Sequence, residues 1–303
     1  MSAWTTDEMP DCTGRTVVVT GANSGLGLEA TRDFARKGAH VVLACRDVDR
    51  GGEAASDVRG DVPGASLTVR DCDLASLDSI REFASTVDEE LGAIDVLCNN
   101  AGVMAIPRGE TAEGFERQFG INHLGHFALT GLLLDSLEAA DDPRVITQSS
   151  GIHARGEIDF DDLQSEESYN KWDAYAQSKL ANVLFAYELD RRHGDDLTSV
   201  ACHPGYAATN LQYRGPEAES SRVKKALMGA FNRLFAQSAE QGALPMLYAA
   251  TIEDIDGGEY VGPGGLFEMR GAPEEQSSSG RSYDEETAAR LWELSAELTD
   301  VEY

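Results

Sequence analysis

Residues 16–38 constrain this chain more than any other stretch. A β-branched run, TVVVT (16–20), leads into the glycine-rich GANSGLG (21–27), and Leu28 to Lys37 then reads as a helix closed by Gly38. Branched side chains favour a pleated strand, and glycine opens backbone conformations that a tight turn needs. A second apolar run, VVLA (41–44), follows after a short connection. Consecutive strands joined through a helix run parallel, so β-α-β units are implied. Apolar runs at 67–69, 94–98, 145–147 and 198–202 keep the rhythm, alternating with helical stretches near 76–91, 112–137, 173–193 and 239–250. The pattern predicts an α/β fold, a single Rossmann-type doubly wound parallel sheet flanked by helices.

No internal repeat and no long Pro/Ser linker divides the 303 residues, so one domain is expected. The tracts 257–265 (GGEYVGPGG) and 274–282 (EEQSSSGRS) read as loops. A final helix, about 284–298, carries Ala288, Leu291, Leu294 and Leu298 at helical spacing and is expected to pack on the body.

Composition narrows the setting. The five cysteines are scattered and never spaced CxxC, which argues against a disulfide framework or a zinc knuckle. The N-terminus lacks a secretory pattern and no run approaches eighteen apolar residues, so neither export nor a membrane span is expected. Lys+Arg 25 against Asp+Glu 53 leaves a net charge of −28, which would repel nucleic acid. The acids are dispersed along the chain and only five of the basic residues are lysine, so a folded acidic surface in a salt-rich cytoplasm is expected, and with it a halophilic source.

The segment TGANSGLG (20–27) lies between strand and helix, where glycines let a pyrophosphate approach the helix N-terminus. TGxxxGxG would arise by chance about 0.02 times in a chain of this composition. The end of the second strand then bears on the choice of dinucleotide. An acid there would bind the ribose 2′-hydroxyl of NAD, whereas a guanidinium suits the 2′-phosphate of NADP. In LACRD the acid's position is Cys45, and Arg46 follows, so NADP(H) is favoured over NAD(H). The competing reading is a surface arginine paired with Asp47 or Asp49.

Tyr175 and Lys179 stand as YAQSK in an expected helix, where residues four apart share a face. The combination suits carbonyl chemistry: as a reduced nicotinamide delivers hydride to carbon, the oxygen needs a proton from an acid within hydrogen-bond reach. A phenol can be that acid, and a neighbouring ammonium and, in the oxidised complex, the nicotinamide charge are expected to lower its pKa from about 10 toward working pH.

Together, TGANSGLG, NNAG (99–102), TQSS (147–150) and YAQSK make the chain resemble the short-chain dehydrogenase/reductase family, from Gly14 to Leu298. ACRD, INHLGHFALT, DFDDLQ, YAQSKLANVLF, HPG and RLWELS make it similar to the branch that holds retinol dehydrogenases and protochlorophyllide-reductase-like proteins. The resemblance implies a cofactor site of Gly21, Asn23, Ser24, Gly25, Leu26, Gly27, Arg46, Asp73, Leu74, Asn100, Ala101, Gly102, Tyr175, Lys179, Pro204, Gly205 and Thr209. It implies Tyr175 as acid/base, Lys179 on the nicotinamide ribose, Ser150 polarising the carbonyl with Ser149 as its rival, and Asn122 completing a water relay. It also implies a substrate lid at about 206–238 and an apolar aldehyde or ketone as the small-molecule partner, with homo-oligomer formation left open.

Other classes fit less well. A serine hydrolase needs GxSxG, which is absent. His123 and His126 lack a third metal ligand in the sequence pattern. A C=C double-bond reductase using the same Tyr/Lys pair, and a non-catalytic NADP(H) sensor, are the remaining alternatives. A sensor usually loses the tyrosine that this chain keeps.

Overall fold

The computed structural model describes residues 4–205, 238–265 and 268–303. Its centre is an eight-stranded sheet in the order β3-β2-β1-β4-β5-β6-β7-β8. The strands are β1 (Thr16–Thr20), β2 (His40–Cys45), β3 (Leu67–Asp71), β4 (Val96–Asn99), β5 (Arg144–Gln148), β6 (Thr198–Cys202), β7 (Tyr260–Pro263) and β8 (Pro273–Gln276). All neighbours pair parallel except β7 and β8. The order reverses between β1 and β4, which creates a crevice at the carboxyl ends of those two strands.

The strands read as continuous apolar runs because both faces of the sheet are covered. Alternate residues part to opposite sides. Val17, Val19, Val41 and Leu43 pack with Ala30 and Phe34 of α1 (Gly25–Arg36), Ala55 and Val58 of α2 (Val48–Asp61), and Met246 and Leu247 of α8 (Ala239–Thr251). Val18 and Val42 face the other way, toward Ile80 and Phe83 of α3 (Leu77–Leu91), Phe127 of α5 (Gly125–Leu132) and Phe185 of α7 (Lys171–His193). The last helix, α9 (Glu285–Thr299), sets Ala288 and Leu291 against Leu180 and Leu184 of α7, while Trp292 stacks on Phe185 at 5.8 Å. Its first turn is capped by Asp284, whose carboxylate accepts from the Thr287 N–H.

The structure corrects the sequence reading in three places. The helix expected over 112–137 is broken. Thr111 and Phe115 instead close a loop, Glu116 caps a short turn α4 (Arg117–Phe119), and a π-helical turn at Gly120–Leu124 precedes α5 and α6 (Leu134–Glu138). Apolar periodicity continues across that segment and hides the break. The tracts 257–265 and 274–282 are not simply loops, since they contribute β7 and part of β8. Gly262 and Pro263 disguise β7, which pairs with β6 only through Ala201↔Tyr260 and Cys202↔Val261. The helix α2 was not anticipated, because its sequence VDRGGEAASDVRGD carries two adjacent glycines.

Among the described residues, no helix is long and apolar enough to cross a membrane. With −28 on a folded chain, like charges crowd the surface and oppose the compact state. The Debye length falls from about 30 Å at 0.01 M to about 3 Å at 1 M salt, which removes repulsion between distant carboxylates. Thermal midpoints are therefore expected to rise steadily from low to molar KCl, and a flat or falling trend would refute the salt-adapted surface.

Candidate active site

The crevice between β1 and β4 is built by two loops that clasp each other. Gly21 and Gly25 adopt positive φ (+66° and +58°), which a side chain would make costly. A Cβ on Gly27 would lie 2.6 Å from Asn100 Nδ2 and from the Gly21 carbonyl, so this glycine permits the close approach of the two loops. Thr20 Oγ1 accepts the backbone N–H groups of Asn100 and Ala101, both at 2.9 Å, and Asn100 Nδ2 donates to the Thr20 carbonyl at 2.7 Å. At the start of α1, Ser24 is extended and its side chain makes no cap bond, while Asn23, Ser24 and Leu26 are half-buried along the rim. A helix terminus presenting backbone N–H groups fits a pyrophosphate.

At the end of β2, Cys45 is buried and Arg46 is exposed. Asp47, a suspected partner of Arg46, caps α2 by accepting from the Arg50 N–H at 3.1 Å. Arg46 makes no ion pair with any described residue, so its guanidinium is available to a phosphate. Beyond β3, the Asp73 carboxylate accepts from the Ala75 N–H at 3.1 Å, and Leu74 is buried.

The other half of the site comes from α7, the end of β5 and the π-helical turn. Tyr175 and Lys179 lie on one face of α7, 5% and 3% exposed. The Ser150 hydroxyl lies close enough to the Tyr175 phenol to lower its pKa, whereas Ser149 donates to the Lys179 carbonyl at 2.7 Å. Lys179 Nζ donates to the Gln148 carbonyl at 2.9 Å. A Cβ on Gly102 would sit 3.0 Å from Asn122 Oδ1 and 3.6 Å from Lys179 Nζ, so NNAG leaves room beside both. Asn122 is fixed by its amide, which exchanges bonds with the Val103 N–H and carbonyl and donates to Ser178 Oγ.

Burial governs the protonation of this group. It pushes the Tyr175 phenol up to about 12, with the Ser150 hydrogen bond pulling the other way, and pushes Lys179 down to about 8. The lowering expected from the Lys179 ammonium together with the nicotinamide charge of the oxidised complex is not reached by the protein alone. Desolvation is the largest influence on the phenol, and the ammonium is directed at the Gln148 carbonyl.

Pro204 and Gly205 follow β6, with Gly205 at φ +62° and its N–H donating to His203 Nδ1. Thr209 and nearly all of the expected lid lie outside the described residues. Sequence reasoning missed Thr20, whose hydroxyl ties the two loops, and His126. The latter donates from Nδ1 to the Asn122 carbonyl at 3.0 Å and meets Thr20 Oγ1 at 3.0 Å through Nε2. The only signal for His126 is its helical spacing from Asn122. Among the described residues, no group of three or more His, Cys, Asp or Glu is arranged to hold a metal.

Residues 15–220 match the short chain dehydrogenase family, and the chain belongs to it: it is an oxidoreductase of the short-chain dehydrogenase/reductase family, whose members use nicotinamide cofactors. It is 45% identical to human retinol dehydrogenase 13 over 293 residues, covering 95% of this chain and 86% of that one. Against human retinol dehydrogenase 14 the identity is 40%, covering 93% and 85%. Among solved structures, an uncharacterised protein of Mycobacterium paratuberculosis has 42% identity and a TM-score of 0.82, with 100% and 99% of the two chains covered. A short chain dehydrogenase of Shigella flexneri complexed with NADP shares the fold at 22% identity and TM-score 0.64, covering 84% and 98%.

Proposed function

We propose that this enzyme interconverts an apolar aldehyde or ketone with its alcohol, using NADP(H). The observation that carries the reading is the Tyr175 phenol, buried, beside Ser150 and one helical turn from Lys179. When bound, NADPH supplies a hydride to the carbonyl carbon. Tyr175 holds the proton for the carbonyl oxygen, and its raised pKa keeps it protonated across neutral pH, the state that reduction needs. Ser150 donates a hydrogen bond to the same oxygen, polarising the carbonyl. Lys179 would hold the ribose of the bound nicotinamide and Asn122 would complete a water relay from Lys179, both lying beside Gly102.

The names of the curated relatives make retinal the first carbonyl to try. The deciding experiment is a panel of aldehydes, ketones and enones assayed with NADPH in molar KCl. Reduction of retinal or another apolar carbonyl supports the reading, exclusive turnover of enones supports C=C reduction, and NADPH binding without any turnover supports a sensor. The acidic surface leads us to propose a salt-rich cytoplasm as its setting.

Arg46→Ala is expected to weaken NADPH by about tenfold or more and leave NADH nearly unchanged, because only NADPH carries the 2′-phosphate that the planar guanidinium matches. Fluorescence titration with both cofactors checks this. Equal losses would mean that Arg46 does not read the phosphate.

A further inference from the structure

Behind the site lies a group of buried polar rings that the reaction above does not use. Tyr260 of β7, 2% exposed, contacts His153 at 5.1 Å between ring centroids and stacks on His203 at 5.2 Å with 10° between planes. Both imidazoles are buried, at 4% and 3%. Three polar rings in such a place are costly unless every polar atom finds a partner.

The partners are main-chain groups of the site, and they fix one arrangement of protons. His153 Nδ1 lies 2.8 Å from the Ser150 carbonyl, so Nδ1 carries the hydrogen, and Nε2 accepts the Ser279 N–H at 3.0 Å. His203 has the opposite tautomer. Its Nδ1 accepts the Gly205 N–H at 3.3 Å, and Nε2–H donates to Gln276 Oε1 at 3.2 Å. Gln276, directly opposite Tyr260 in the β7/β8 pair, is itself fixed by donating to the Pro263 carbonyl. The Tyr260 hydroxyl lies 3.2 Å from His153 Nδ1, whose N–H it accepts, and is close enough to Ser149, which donates to the Lys179 carbonyl, for that hydroxyl to lower its pKa. Burial favours the neutral form of both imidazoles. A second proton on either would turn an N–H toward a backbone N–H.

We propose that Tyr260, His153 and His203 are positioning residues that together hold the main chain of Ser150, Lys179 and Gly205 in register for catalysis. The proposal rests on the functional reading above. It assigns a role to β7 and β8, the antiparallel extension of the sheet: they carry Tyr260 and Gln276 to the back of the site.

Asparagine and glutamine separate the two nitrogens, since an Asn amide can stand near Nδ1 and a Gln amide near Nε2. His153→Asn keeps a donor for the Ser150 carbonyl and His153→Gln does not. The first is expected to keep kcat within about threefold of wild type and the second to lose about tenfold or more, with NADPH affinity unchanged in both. His203→Asn keeps an acceptor for the Gly205 N–H, so NADPH Kd is expected to stay near wild type, whereas His203→Gln raises it about tenfold. Loss of packing alone would not separate the members of a pair, and equal behaviour within both pairs overturns the proposal.

Tyr260→Phe removes only a hydroxyl and covers the case in which a histidine variant fails to fold. It is expected to lower kcat about tenfold at constant KM, and an unchanged kcat overturns the proposal. Retinal and the best carbonyl of the panel serve as substrates. Absence of wild-type turnover would defeat the functional reading, while the NADPH measurements on His203 would still test the support.

Discussion

Tyr175→Phe is expected to lower turnover of the best carbonyl substrate by about 10² or more while leaving NADPH affinity nearly intact, the usual scale for removing a positioned acid. The phenol ring fills a site that is 5% exposed and phenylalanine keeps that packing, so the loss falls on the proton and not on the fold. Ser150 remains to hydrogen-bond the carbonyl and Lys179 remains on Gln148. Stopped-flow reduction under single-turnover conditions, alongside a fluorescence titration of NADPH, separates the two effects. A variant as fast as wild type would remove Tyr175 from the chemistry and favour the sensor alternative.

The second large effect concerns acid. Burial pushes His123 down to about 3 and His126 and His203 down to about 4, whereas an unfolded histidine titrates near 6.5. Between about pH 6.5 and 4 the unfolded chain therefore binds more protons than the folded one. With depressed folded-state values, the stability is fully present above pH 6.5 and is lost as pH falls. Three such groups imply a slope near 4 kcal/mol per pH unit between pH 6 and 5, and a total comparable to the stability of a typical domain, about 5–15 kcal/mol. Burial raises the carboxyls of Asp33, Glu116 and Asp190, whose protonation acts in the opposite sense and offsets part of the histidine slope. Urea midpoints in molar KCl at pH 7.5, 6.0 and 5.0 measure the slope. A slope of one proton or less would mean that these imidazoles are not held neutral.

Much of the molecule was legible in the residues. TVVVT, the glycine loop and the recurring apolar runs predicted a parallel, doubly wound sheet, because strand and helix periodicities are local properties. NNAG read as cofactor wall from its match to the family tetrapeptide and its place in the β-α order, and in the structure Thr20 ties it to the glycine loop. Cys45–Arg46 marked the end of β2, and the structure leaves Arg46 unpaired among the described residues.

What the sequence could not decide depends on contacts between distant segments. YAQSK places Tyr175 and Lys179 on one helix face, but only the sheet and the Ser149–Lys179 bond turn Ser150, not Ser149, toward the phenol. The phenol's upward shift follows from how completely the surrounding elements exclude water, and residue spacing carries no measure of that. The π-helical turn that fixes Asn122 lies inside an unbroken apolar stretch, where a register change leaves no periodic mark. Likewise Tyr260 and Gln276 sit in tracts rich in Gly, Pro and polar residues, and they become strands because β6 offers a free edge to pair with. The sequence by itself determined the fold class, through local propensity and spacing, and its motifs named the groups proposed to react through their resemblance to the family. Tertiary structure alone decided which serine faces the tyrosine, how the buried groups hold their protons, and which distant residues support them, because desolvation and long-range hydrogen bonds exist only once the chain has closed on itself.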